Sequence, residues 1–127
     1  MIVLDSWALL AFLKGEPAAG RVEAEWVADG AAISSINLGE VLYIRMRASG
    51  EKSARADIDT IRTRLTVIDP DWETVEAAAA IKAAGGLSFA DAFCIATAAR
   101  LGVPLLTGDP EVVGRGAQHG CTIVDLR

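Results

Sequence analysis

In Met1-Ile2-Val3-Leu4-Asp5-Ser6-Trp7-Ala8-Leu9-Leu10-Ala11-Phe12-Leu13 a short apolar run is closed by an acid and followed by a longer apolar segment. The first run is too short for a helix and reads as a buried strand; the second has helical length and ends before Gly15-Glu16-Pro17. Moving outward, four further short apolar runs read as strands: Ala31–Ser34, Leu65–Ile68, Pro104–Thr107 and Thr122–Val124. Segments of helical composition separate them: Ser6–Lys14, Ala18–Ala28, Ser35–Ala48, Ser53–Arg64, Trp72–Ala84 and Phe89–Leu101, with a short helix beginning at Pro110. Strands alternating with helices imply an α/β fold whose mainly parallel five-stranded sheet is covered by helices on both faces.

The chain has 127 residues, and 52 % of them are hydrophobic. That suits one domain, residues 1–127, with one core, and excludes a disordered chain. Cys94 and Cys121 have no CxxC or zinc-ligand spacing and read as reduced, buried thiols, with a single disulfide the alternative. His119 is the lone histidine and sits in a loop-like Gly-Ala-Gln-His-Gly, a poor basis for a zinc site or a Ser-His-Asp triad. Trp7–Leu13 is preceded by an acid and by no basic region, so it reads as a helix rather than a signal peptide. Lys82 and Asp91 interrupt the Ala-rich region, leaving no apolar stretch of membrane-spanning length. A cytoplasmic protein with no membrane association is expected.

Four carboxylates stand in apolar surroundings: Asp5, Glu40 within Ile36-Asn37-Leu38-Gly39-Glu40-Val41-Leu42-Tyr43, Asp91 within Phe89-Ala90-Asp91-Ala92-Phe93, and Asp109 after Leu105-Leu106-Thr107-Gly108. Buried carboxylates are costly unless paired, hydrogen-bonded or metal-bound. In parallel sheets ligands bind beyond the carboxyl ends of the strands. Asp5 and Asp109 follow strands directly; Glu40 lies early in a helix leaving a strand, and Asp91 opens a helix that feeds one. Topology therefore brings all four to one rim, where mutual repulsion invites a divalent cation. Asp69 and Asp125 reach the same rim by the same rule.

Each acid also has a plainer reading. Asp5 suits the N-cap of the Ser6–Lys14 helix, and Asp109-Pro110 is an N-cap followed by Pro at the first helical position. Ser88-Phe89-Ala90-Asp91 has capping-box spacing. Glu40 shares a helical stripe with Ile36, Tyr43, Ile44 and Arg47, too deep in its helix to cap it, and its competing explanation is a salt bridge to Arg45 or Arg47. Formal net charge is −5, against non-specific nucleic-acid binding by the whole surface. Yet Arg45–Arg64 holds six basic residues and three acids, locally +3. Either that is a solvated helical face, or Arg45 and Arg47 help bind phosphates near the acids.

These residues resemble the PIN-domain ribonucleases, specifically the VapC-type toxins of prokaryotic toxin–antitoxin pairs. The opening strand, acid and helix, the Ile33-Ser34-Ser35-Ile36-Asn37-Leu38-Gly39-Glu40-Val41 stretch, and Leu87-Ser88-Phe89-Ala90-Asp91-Ala92 through Leu105-Leu106-Thr107-Gly108-Asp109 carry the resemblance over essentially the whole length. It implies a PIN-like fold and a metal site of Asp5, Glu40, Asp91 and Asp109 supported by Thr107. It also implies Mg²⁺ or Mn²⁺ as cofactor, RNA as substrate, cleavage to a 3′-hydroxyl and 5′-phosphate, an antitoxin partner and a homodimer. Trp7, Asn37 and Gly39 depart from the commonest family residues. Within the same chemistry, a housekeeping RNA-processing nuclease remains open, as does a silent partner-binding module. A receiver domain fails on two counts: Asp5 is followed by Ser6 rather than a second acid, and no Lys follows Lys82. An Asp-x-Asp phosphatase fails because Trp7 fills the second acidic place.

Overall fold

A computed structural model describes all residues, 1–127. The elements run β1 (Ile2–Leu4), α1 (Ser6–Lys14), α2 (Ala19–Asp29), β2 (Ala31–Ser34), α3 (Ser35–Ser49), α4 (Glu51–Arg62), β3 (Thr66–Ile68), α5 (Trp72–Ala83), α6 (Phe89–Leu101), β4 (Leu105–Thr107), α7 (Pro110–Arg115), a 3-10 turn (Gly116–His119) and β5 (Ile123–Asp125). The strands form one sheet in the order β3-β2-β1-β4-β5. Every neighbouring pair is parallel, so the sheet is wholly rather than mainly parallel.

Alternation along the strands divides the core into two layers, because successive side chains on a strand point to opposite faces. Ile2, Leu4, Ala31, Ile33 and Leu106 meet Leu9 of α1, Val22 and Trp26 of α2, Val41 of α3 and Ile58 of α4. Val3, Ala32 and Leu105 face the other way, onto Ala78 and Ile81 of α5, Ile95 of α6 and Val112 of α7. Both faces are thus sealed, and the central strands β1, β2 and β4 are wholly buried, which is why they are short and nearly all apolar. No helix is long and apolar enough to cross a membrane.

Local chemistry places the helix boundaries. Gly15 ends α1 in the left-handed region (φ 65°), donating back to Ala11 and Phe12 carbonyls. α4 begins at Glu51, two residues earlier than composition suggests: Gly50 (φ 88°) turns the chain, and Glu51 complements the helix N-terminus while pairing with Arg55 at 2.9 Å. α5 is capped by Asp71, whose carboxylate accepts from Thr74 N–H at 2.8 Å, and not by Asp69. Cys94 and Cys121 are both buried free thiols, and burial raises both their pKa values, that of Cys121 to about 11. Inert core packing suits them better than reactivity.

The strand order has one feature that positions a site. The chain builds outward from β1 to β2 and β3, then returns to lay β4 on the opposite side of β1. The carboxyl ends of β1 and β4 are therefore adjacent at the point where the order reverses, the usual seat of a ligand in such sheets.

Candidate active site

Asp5 leaves the end of β1 in extended conformation (φ −88°, ψ 178°) and caps α1, accepting from Ala8 N–H at 2.8 Å. It is only 2 % exposed. Its second oxygen accepts the hydroxyl of Thr107, the last residue of β4, 102 positions away in sequence. Thr107 Oγ1 in turn accepts the backbone N–H of Asp109 at 3.0 Å. Asp109 caps α7 by accepting from Glu111 N–H at 2.8 Å, with Pro110 inside the first turn. One hydroxyl thus joins the ends of both switch-point strands and two of the four acids.

Asp91 occupies the third position of α6 in a complete capping box: Ser88 Oγ accepts from Asp91 N–H at 3.1 Å, and Asp91 Oδ2 accepts from Ser88 N–H at 3.4 Å. Glu40 lies in the second turn of α3, half-buried. Asp5, Asp91 and Asp109 each sit at a helix start, where exposed N–H groups and the helix dipole favour negative charge. The cap and rim readings of these acids therefore hold together.

The electrostatics tie the four into one group. Burial is the main cause that pushes the Asp5 carboxyl up to about 7, with the charges of Asp91 and Asp109 adding to it and the Thr107 and Ala8 hydrogen bonds opposing. Asp91 is also raised, by burial first and then by Asp109 and Glu40, against its bonds with Ser88. No basic side chain pairs with any of the four. Glu40 in particular has no bridge to Arg45 or Arg47. Of the rim rivals, Asp125 pairs with Arg127 at 3.1 Å, while Asp69 lines one concavity with Asp71, Thr74 and Arg100 and another with Ser35, Leu38 and Gly39 of α3. None of the surface concavities is lined by the four acids.

As the side chains stand, no three acidic, Cys or His groups converge into a closed metal cage. Three of the carboxylates are held by the backbone of their own helix starts, as the caps above show. The donor chemistry nevertheless suits a hard divalent cation: all four groups offer oxygens, and none of them is in a salt bridge.

Of the basic residues, Arg45 is engaged elsewhere, bridging α3 to Asp57 of α4 at 3.0 Å, with its Nε buried and unpartnered. Arg47 lies over the Tyr43 ring at 5.2 Å and makes no ion pair. Trp7 packs on the β4–α7 turn, so closely that a Cβ at Gly108 would stand 2.3 Å from Trp7 Cη2. We expect Gly108→Ala to destabilise the fold by about 1–3 kcal/mol, with Trp7→Leu in the same chain recovering most of it. An unchanged denaturation midpoint in the single variant would show that the ring moves aside without cost.

Residues 2–114 match the PIN domain family model. The chain belongs to the PIN-domain family. Among solved structures it is similar to DNA-bound VapBC from Salmonella typhimurium, with a TM-score of 0.78, 20 % identity, and coverage of 99 % of this chain and 98 % of that one. It is similar to a toxin–antitoxin complex from Klebsiella pneumoniae, with a TM-score of 0.75, 21 % identity, and coverage of 100 % and 98 %. It is also similar to VapC20 of Mycobacterium tuberculosis, described as a sarcin–ricin loop cleaving toxin, with a TM-score of 0.73, 23 % identity, and coverage of 91 % and 95 %. No curated protein sequence matches. The PIN fold accounts for the wholly parallel sheet, and the match spans the segments bearing all four acids and Thr107.

Sequence reasoning did not single out Ser6, which is buried, or the contact of Trp7 with Gly108. Asn37 was noted only as an unusual family residue. The available signal was a polar residue between Ile36 and Leu38 on an otherwise apolar helical stretch.

Proposed function

We propose that this PIN-domain protein is a divalent-metal-dependent endoribonuclease acting in the cytoplasm as the toxin of a toxin–antitoxin pair. The observation that carries this reading is Asp5: a carboxylate 2 % exposed at the strand-order reversal, with no cationic partner and with the charges of Asp91 and Asp109 near enough to act on it. Similarity to solved toxin–antitoxin complexes supports an antitoxin as protein partner, and the RNA-cleaving toxin among them supports RNA as substrate.

Asp5, Glu40 and Asp91 would form the inner ligand set for Mg²⁺, or Mn²⁺ in its place, with Asp109 completing it. Such an ion, when bound, polarises the scissile phosphate and makes water a competent nucleophile near neutral pH. The chain's own part is orientation. Thr107 holds one Asp5 oxygen and the Asp109 main chain, and the Ser88–Asp91 box holds the α6 start. Hydrolysis would add hydroxide to phosphorus and break its bond to the 3′ oxygen, which takes up a proton. The products are a 3′-hydroxyl and a 5′-phosphate.

Incubation with total cellular RNA and Mg²⁺ or Mn²⁺, followed by mapping of new 5′ ends, tests the activity. Discrete ends that disappear with chelator are expected; no cleavage with either ion would defeat the reading. Growth arrest on expression, relieved by the product of an adjacent gene, separates a toxin from a housekeeping nuclease. Arg47 stands two helical turns beyond Glu40, roughly 10 Å along α3. Arg47→Glu should weaken RNA binding and lower the salt slope by about one. Unchanged affinity and slope would make Arg47 part of a solvated face.

A further inference from the structure

Asn37 is 1 % exposed and lies one helical turn before Glu40 on α3. Its amide Nδ2 donates to the carbonyl of Ala90 at 3.0 Å and to Ser6 Oγ at 3.4 Å. Ser6 Oγ also donates to the main-chain carbonyl of Asn37 at 3.2 Å. Ser6 directly follows Asp5, and Ala90 directly precedes Asp91. A single side chain therefore connects the first turns of α1 and α6 to α3, in each case beside an acid of the rim.

Two details separate this from ordinary core satisfaction. Ala90 lies in the first turn of α6, where its carbonyl already serves the helical ladder, so the bond from Asn37 is additional. Meanwhile Asn37 Oδ1 is buried with no donor facing it. Turning the amide over would set that oxygen against the Ala90 carbonyl, two acceptors in contact, so the orientation is unambiguous. An apolar residue of similar volume would leave no orphaned acceptor. Stability alone therefore gives little reason for an amide here.

We propose that Asn37 is a positioning residue for the metal centre. By clamping the starts of α1 and α6 to α3, it fixes the relative positions of the three helix segments that carry Asp5, Glu40 and Asp91, from which their carboxylates would have to turn toward a shared ion. The inference rests on the nuclease reading above. Asn37 touches neither substrate nor ion; it acts through the acids next to its hydrogen-bond partners.

The test uses the full chain with Asn37→Leu, which keeps volume and removes both bonds from the amide while leaving Ser6 its bond to the main-chain carbonyl, and Ser6→Ala, which removes both links between α1 and α3 and leaves the bond to Ala90. Mn²⁺ affinity is measured by calorimetry, RNA cleavage is resolved into kcat and KM at saturating Mn²⁺, and each variant is melted. Asn37→Leu should bind Mn²⁺ about 10- to 100-fold more weakly and lose kcat, with KM for RNA unchanged. Ser6→Ala should show a smaller loss of the same kind, and the double variant should fall short of the product of the two. Should Asn37→Leu fail to fold, the Ser6→Ala result decides alone. A merely structural role would lower the melting temperature while leaving Mn²⁺ affinity and kcat of the folded protein unchanged, and that outcome overturns the proposal. Wild-type protein inactive on RNA with every divalent ion overturns the nuclease reading, and the proposal with it.

Discussion

Asp5→Asn is expected to abolish RNA cleavage and, at the same time, to stabilise the metal-free protein above neutral pH. The activity loss follows from replacing a charged ligand by a neutral amide at the centre of the acidic group. Losing such a ligand removes several kcal/mol of transition-state stabilisation, on the order of a thousandfold or more in rate. The stability gain follows from the environment. Asn is as good an N-cap as Asp, so the bond from Ala8 N–H can persist. What disappears is a buried charge.

The pH dependence has a definite sign. Asp5 titrates near 3.8 when unfolded and is raised to about 7 in the folded chain. A folded pKa above the unfolded one means that the native state prefers the neutral acid. Wild-type stability is therefore undiminished below pH 3.8, falls as pH rises between about 4 and 7, and stays low above that. At 1.36 kcal/mol per unit of pH, the full difference is at most about 4 kcal/mol. Asn37 and the core are untouched, and Asp5→Asn lacks the Asp5 part of this slope, keeping only what the raised Asp91 contributes. Melting curves in chelator should thus coincide for the two proteins near pH 3.5 and diverge by pH 8. Parallel curves across that range would show that Asp5 is not held in a charge-hostile setting. Added Mn²⁺ should raise the wild-type melting temperature at pH 8 and leave the variant's nearly unmoved.

Thr107→Val carries the second large effect. The hydroxyl is wholly buried, donates to Asp5 and accepts from Asp109 N–H. Valine matches its shape and takes away both bonds. The Asp109 N–H then loses its partner, which costs about 1–3 kcal/mol if water cannot reach it. The Thr107 bond is also the strongest influence that lowers the Asp5 pKa, so its loss pushes that group further above about 7. At subsaturating metal, where a proton competes with the ion for Asp5, the acidic limb of the pH–rate profile should move to higher pH, and activity at neutral pH should fall about 10- to 100-fold. A variant that loses stability while keeping the wild-type profile would reduce Thr107 to a strand-end tether.

The two variants differ in a way that separates ligand from support. Excess metal should recover part of the Thr107→Val activity, because all four carboxylates remain. It should recover little for Asp5→Asn.

Much of this molecule is local in origin. The apolar run Ile2–Leu4 ahead of Asp5, the Gly50 break and the Ser88–Asp91 box act within a few residues, through strand burial, backbone conformation and capping. Those elements, and the candidacy of Asp5, Glu40, Asp91 and Asp109, could accordingly be read from the linear chain. So could their common rim, because a parallel strand leaves its end, and the helix feeding the next begins, on one side of a sheet. Tertiary packing alone decided what residues distant in sequence do to each other. It turned Arg45 to Asp57, laid Trp7 on Gly108, linked Thr107 to Asp5, and brought Asn37 between Ser6 and Ala90. Capping and periodicity are properties of neighbours along the chain. Contacts across 102 residues depend on how two helical layers close over a sheet, and no short-range pattern encodes them.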